Sequence, residues 1–89
     1  STEVPKQFVI HAPEAETVRI VGSFNDWRPT EDYLMERSKD GVWSKTVRLA
    51  PGEYQYKYII DDMWIEDKHN PRVTNDPYGG RNSIIEISK

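Results

Sequence analysis

Carboxylates, two histidines and an unusual number of aromatic rings are the side chains in this chain that could do chemistry. Carboxylates are plentiful, notably Asp61-Asp62, Glu66-Asp67 and Asp26. A glycosidase needs two of them across a cleft, roughly 5 to 9.5 Å apart, and a domain this small has little depth for one. Asp61 and Asp62 read more simply as turn residues, and the remaining carboxylates as a solvated face. His11 and His69 lie far apart in the chain, one at a strand end and one in a loop, and read as surface histidines. No catalytic residue is assigned, and the chain is not expected to be an enzyme. With no cysteine there is neither a disulfide framework nor a thiolate site. No histidine pair has ligand spacing and no acidic segment has a calcium-loop pattern, so neither metal nor cofactor is expected. Gly79-Gly80-Arg81-Asn82 leads into a strand instead of a helix N-terminus, which rules against a phosphate cradle.

The aromatics remain: five tyrosines and three tryptophans. Trp43 and the tyrosines at 54, 56 and 58 fall on apolar strand faces, where core packing accounts for them. Trp27 and Trp64 do not. Trp27 follows Gly22-Ser23-Phe24-Asn25-Asp26 and precedes a loop-like run, so its large apolar ring either folds back as a lid or is held out for a ligand. An exposed indole suits a pyranose, whose C–H groups make an apolar face bordered by hydroxyls. Ring stacking then needs amide and ammonium donors around the rim, and Lys57, Gln55 and Asn82 are of that type. Two platforms on a shallow surface imply modest affinity, roughly millimolar to micromolar. The competing reading is that both tryptophans cap a sheet edge or fill a contact with another subunit.

The elements that must position these side chains are strands. Lys6 to His11 alternates with Phe8 and Ile10 inward, and Thr17 to Val21 alternates again, reading with it as a hairpin. Gly22 ends that second strand. Tyr33 to Arg37 allows a short strand, and Asp40-Gly41 a turn. Val42 to Leu49 follows, with Trp43, Val47 and Leu49 on its apolar face. After the turn at Ala50-Pro51-Gly52-Glu53, Tyr54 to Asp61 puts Tyr54, Tyr56, Tyr58 and Ile60 on one face and Gln55, Lys57 and Ile59 on the other. A two-residue turn at Asp61-Asp62 would pair Ile60 with Met63, Ile59 with Trp64, Tyr58 with Ile65 and Lys57 with Glu66. That register buries Met63 and Ile65 and pushes Trp64 to the outer face beside Lys57; a one-residue slip would reverse it. Asp67 to Gly80 reads as a long loop, of a length that is usually functional or disordered, and Ser83 to Ser88 as the last strand. Short strands joined by Gly and Pro turns, with no helical signal, predict an all-β fold, an antiparallel immunoglobulin-like β-sandwich.

At 89 residues the chain reads as one domain, residues 1–89, with no second core. A formal net charge of −3 with mixed signs argues against nucleic acid as a partner. No apolar run approaches a membrane span and no signal peptide precedes Ser1, so no membrane partner is expected and the chain reads as soluble.

Four stretches taken together, Val21 to Trp27, Gly52 to Tyr58, Met63-Trp64 and Asn75 to Ser83, resemble the family 48 carbohydrate-binding modules. These include the glycogen-binding domain of the AMP-activated protein kinase β subunit and the N-terminal modules of branching and debranching enzymes. The resemblance covers Phe8 to Ile87. It implies a non-catalytic β-sandwich that binds α-1,4-linked glucans such as glycogen, starch or maltooligosaccharides and targets an attached or associated enzyme to them. The family's two stacking tryptophans fall on Trp27 and Trp64, its hydrogen-bonding lysine on Lys57 and its asparagine on Asn82. Tyr78 matches a loop residue that is leucine in the kinase subunit, and Gly80 the threonine after it, so this loop departs from the kinase pattern. Asp62 replaces the glycine usual in the hairpin, and Lys68 stands where proline often follows the aspartate. A cytoplasmic or plastid setting goes with the resemblance. The alternative function is an immunoglobulin-like protein-interaction module with a vestigial sugar site.

Overall fold

The computed structural model describes residues 2–88 and places eight strands in two antiparallel sheets. The first sheet has the order β1 (Val4–His11), β4 (Val42–Leu49), β3 (Glu36–Arg37). The second runs β2 (Val18–Gly22), β5 (Gly52–Ile60), β8 (Arg81–Ile87), β7 (Val73–Asn75), and β6 (Met63–Ile65) also pairs with β5. This is the expected antiparallel β-sandwich of immunoglobulin-like type. Its helical content among the described residues is two single 3₁₀ turns, Ser23–Asn25 and Glu31–Tyr33.

The core forms where the alternating faces meet. Phe8, Trp43, Val47 and Leu49 from the first sheet pack with Val18, Ile20, Tyr56, Tyr58 and Ile87 from the second, and Met35 joins them from the connection into β3. Each such side chain stabilises the fold by roughly 1.5 to 3 kcal/mol. The polar tips of the buried aromatics are satisfied, as a dry interior requires. The indole N–H of Trp43 donates to Ala12 O at 2.9 Å and the Tyr58 hydroxyl to Val9 O at 3.2 Å. The Tyr56 hydroxyl donates to Asp67 Oδ2 at 2.7 Å and accepts from Asn70 Nδ2. Burial, and after it the Asp67 carboxylate, pushes the hydroxyls of both Tyr56 and Tyr58 to well above the usual tyrosine value.

Several expectations are corrected. The first two strands are not a hairpin: β1 pairs with β4 from Val4↔Leu49 to His11↔Val42, and β2 pairs with β5. The Ala12–Thr17 link crosses between sheets, held where Ala12 N donates to Gly41 O. A Cβ on Gly41 would stand 2.6 Å from Pro13 Cα, so the crossing has no room for a larger residue. The Tyr33–Arg37 strand shrinks to Glu36–Arg37, because its first residue belongs to a 3₁₀ turn. The Asp67–Gly80 segment is not wholly loop, since Val73–Asn75 forms an edge strand on β8. β8 itself starts two residues earlier than expected, at Arg81.

The hairpin register is as the two-residue turn requires: Ile60↔Met63, Ile59↔Trp64 and Tyr58↔Ile65. Asp61 and Asp62 have φ of 47° and 70°, the paired left-handed conformation of a type I′ turn. Asp61 supports its own strain, because its carboxylate accepts from Glu16 N and Thr17 N at 2.9 and 3.0 Å. The structure differs from expectation at three points. Met63 shares the core-side parity of Ile60 yet is 66% exposed, at the residue where β6 begins after the turn. Ile65 is only half-buried, and the expected Lys57–Glu66 pair lies beyond the last β6 pairing.

Candidate functional site

On the outer face of the second sheet, β5 presents Gln55, Lys57 and Ile59 between Val21 of β2 and the strands β6 and β8. Ile59 and Val21 are buried although they point away from the main core. The outer face is thus partly covered, and over it opens a groove of about 450 Å³, within the usual range for small-ligand sites. Trp27 and Trp64 line it together with Lys57, Gln55 and Asn82, and Asp76, Pro77 and Tyr78 complete the lining. All five residues singled out from the sequence, Trp27, Trp64, Lys57, Asn82 and Tyr78, therefore meet in one place.

Trp27 arrives on a short, tightly wound turn. After Gly22 the chain makes the 3₁₀ turn Ser23–Asn25, and Asp26 and Trp27 then both take left-handed φ, 56° and 58°. For a tryptophan that is a strained conformation, costing on the order of 1 to 3 kcal/mol. Three contacts hold it: Trp27 N donates to Gly22 O, Gly22 N donates to Asn25 Oδ1, and Gln55 N donates to Ser23 Oγ. Phe24 pins the turn inward against Phe8, Tyr33 and Tyr54, with ring centroids 5.8 to 6.2 Å apart. Gly22 has extended backbone, so left-handed freedom is not its role. A Cβ there would lie 2.5 Å from Gln55 O and 2.6 Å from the Phe24 ring, and the turn can close only around a bare Cα.

Trp64 stands on β6 as the pairing partner of Ile59 and is 48% exposed, as the register demands. At the groove floor Asn82 is buried and donates from Nδ2 to Gln55 Oε1 at 3.0 Å. That bond orients Gln55 with its oxygen engaged and its NH2 end free to donate. Tyr78 is nearly fully exposed at the tip of the β7–β8 connection.

Asp76 is the residue sequence reasoning missed. Its Oδ2 accepts from Lys57 Nζ at 2.6 Å, and its Oδ1 accepts from Tyr78 N and Gly80 N at 2.7 and 2.9 Å. The Lys57 ammonium and these two amides hold its carboxyl well below the ordinary 3.8, at about 2. One carboxylate therefore anchors the loop that carries Tyr78 and fixes Lys57. The available signal was Asn75-Asp76-Pro77, an aspartate placed to bond the backbone two residues on. Lys57 keeps two further N–H groups for a ligand hydroxyl. The arrangement can stack flat apolar faces and donate hydrogen bonds around them, and among the described residues no cluster of His, Asp and Glu is set to hold a metal.

The two histidines, read separately from the sequence, line a second and smaller cleft of about 200 Å³ with Ile10, Ile60 and Ile65. No helix of the described residues is long and apolar enough to cross a membrane.

The chain is similar to known proteins along nearly its whole length. The family described as the glycogen recognition site of AMP-activated protein kinase matches residues 4–89. The chain is 33% identical over 87 residues to the chloroplastic protein FLOURY ENDOSPERM 6 of Oryza sativa, covering 98% of this chain and 16% of that protein. It is 38% identical over 72 residues to the 1,4-alpha-glucan branching enzyme of Fusobacterium nucleatum, 80% of this chain and 11% of the enzyme. It is also 38% identical over 72 residues to the 5'-AMP-activated protein kinase subunit beta-2 of Homo sapiens, 81% of this chain and 25% of the subunit. The chain thus spans a quarter or less of the length of these relatives. With a match that covers nearly all of it, the chain belongs to the glycogen-recognition family of carbohydrate-binding modules.

Proposed function

We propose that the groove on the outer face of the second sheet is the glucan site, with Trp27 and Trp64 as stacking platforms. Lys57, Asn82 and Gln55 supply hydrogen bonds to sugar hydroxyls, and Tyr78 closes over the chain from the β7–β8 loop. The observation that carries this reading is convergence. Side chains far apart in sequence, on a turn, three strands and a loop, face one groove with the two indoles in its lining. Residues 1–89 act as one module, which raises the local glucan concentration for an attached or associated enzyme of glycogen or starch metabolism. The rice relative's chloroplastic name supports a plastid or other intracellular setting.

Titration with maltoheptaose, read by tryptophan fluorescence and amide shifts, tests the site. Binding is expected in the millimolar to micromolar range, about −4 to −8 kcal/mol, with shifts at Trp27, Trp64 and Asn82. A Trp27→Ala, Trp64→Ala double variant that still binds would remove the assignment. Binding of a partner chain with no response to any glucan would favour the protein-interaction module instead.

A further inference from the structure

The groove lining contains one ionised pair, and its other members, Trp27, Gln55, Trp64, Pro77, Tyr78 and Asn82, carry no formal charge. The pair is built into the fold. Lys57 Nζ and Asp76 Oδ2 are 2.6 Å apart, with the side chains only 13% and 9% exposed. The other oxygen of the same carboxylate is occupied by the amides of Tyr78 and Gly80. A Cβ on Gly80 would fall 2.8 Å from Asp76 Oδ2 and 3.4 Å from Lys57 Nζ, so the pair closes where no side chain fits. Arg81, next to Asn82 in the chain, is tied to Glu66 at 3.0 Å. Arg28, next to Trp27, lies outside the lining.

A lone lysine in a sugar groove attracts anionic glycans as readily as it donates to neutral ones. An ammonium neutralised at contact distance still offers its remaining N–H groups to a hydroxyl. Its longer-range attraction for an anion is cancelled, and any anion reaching it must also approach the carboxylate. We propose that the Lys57–Asp76 pair makes the groove selective for uncharged glucan, and that Asp76 rejects glucan bearing a phosphate monoester or carboxylate on the sugar unit seated over Lys57. This rests on the glucan reading of the groove and adds to it the substrate class and the residue that enforces it.

The test compares maltoheptaose with maltoheptaose carrying a phosphate monoester at C6, and with a 6-O-methyl derivative that adds bulk without charge. The unaltered protein is expected to bind the neutral and methylated sugars alike, and the phosphorylated one about 5- to 20-fold more weakly at low salt, with the gap narrowing as salt rises. Asp76→Asn keeps an oxygen for the Tyr78 and Gly80 amides but frees the lysine charge, and the preference should fall to within about twofold or reverse. Lys57→Gln leaves Asp76 unpaired and should widen the gap; it also keeps the test alive if the asparagine variant does not fold. Equal binding of neutral and phosphorylated sugar by the unaltered protein overturns the inference alone, as does an unchanged ratio in Asp76→Asn or equal rejection of the methylated sugar. Binding of none of the three by the unaltered protein overturns the glucan reading itself.

Discussion

The groove has two arms, and they are held by different physics. The Trp27 arm is held by packing: Phe24 half-buried against three rings, Gly22 closing without a Cβ, and strained backbone that the surroundings enforce. The Tyr78 arm is held by charge, through one carboxylate that accepts an ammonium and two amides. Packing is indifferent to pH and salt and fails all at once, whereas a carboxylate clamp can be released by protons while the sandwich stays folded. The difference teaches that one arm is part of the core and the other an attachment to it.

The largest effect should come from Gly22→Ala. It forces a methyl against Gln55 O and Phe24, and overpacking of this kind typically costs about 1 to 3 kcal/mol; urea unfolding should show a loss in that range, with glucan binding weakened too. Retained stability would mean that the packed arm is looser than its contacts imply. Next, Trp27→Ala should weaken maltoheptaose about 10- to 100-fold, using stacking of about 1 to 3 kcal/mol per ring as the guide. Its unfolding midpoint should change far less, since the ring is only half-buried.

Acid should then separate the arms. The Asp76 carboxyl is depressed in the folded state, so its contribution is complete above the unfolded value of 3.8 and is lost as pH falls through about 2. Amide exchange at Tyr78 and Gly80 should accelerate across that window, while Trp27 and the core strands keep their protection. Loss of both arms together would refute the contrast. The smallest effect is expected from Asp26→Gly. Glycine adopts φ near 56° without steric cost, and the relief of strain is offset by its greater unfolded-state freedom. Thermal unfolding should find the midpoint unchanged or slightly raised, and a clear drop would show that Asp26 is not strained.

The same contrast explains what the sequence could disclose. Local rules were sufficient wherever a turn and an alternating strand determine each other. Asp61-Asp62 set the hairpin register, and that register alone turned Trp64 outward beside Lys57. The face of β4 bearing Trp43, Val47 and Leu49 was likewise legible from alternation. What escaped was whatever depends on which sheet a strand joins. β1 and β2 look like hairpin partners because they are adjacent and share a pattern, yet β1 pairs with β4 and β2 with β5, in different sheets. Met63 obeys the register and still stays exposed, because parity says which side a residue faces but not whether anything lies opposite. Asp76 looked like one more loop carboxylate, since a clamp onto a lysine nineteen positions earlier has no local signature. Trp27 and Trp64 stood out as rings on no inward face, and Lys57 and Asn82 as donors for a sugar rim, from residue type and register; Tyr78 came from the family resemblance alone.

The topology also orders events in time. β3–β4, β5–β6 and β7–β8 are neighbours in the chain that pair directly, so each can close over a short loop, whereas β1–β4 and β2–β5 must each span some thirty residues or more. Hairpins form within microseconds, and distant pairings wait on the entropy of a longer loop. Trp64, and the Tyr78 loop with Asn82, each ride on a fast hairpin, while Trp27 is delivered by β2, which docks through a distant pairing. The sugar platform therefore depends on the distant β2–β5 pairing, because Trp27 meets Trp64 only when β2 docks beside β5.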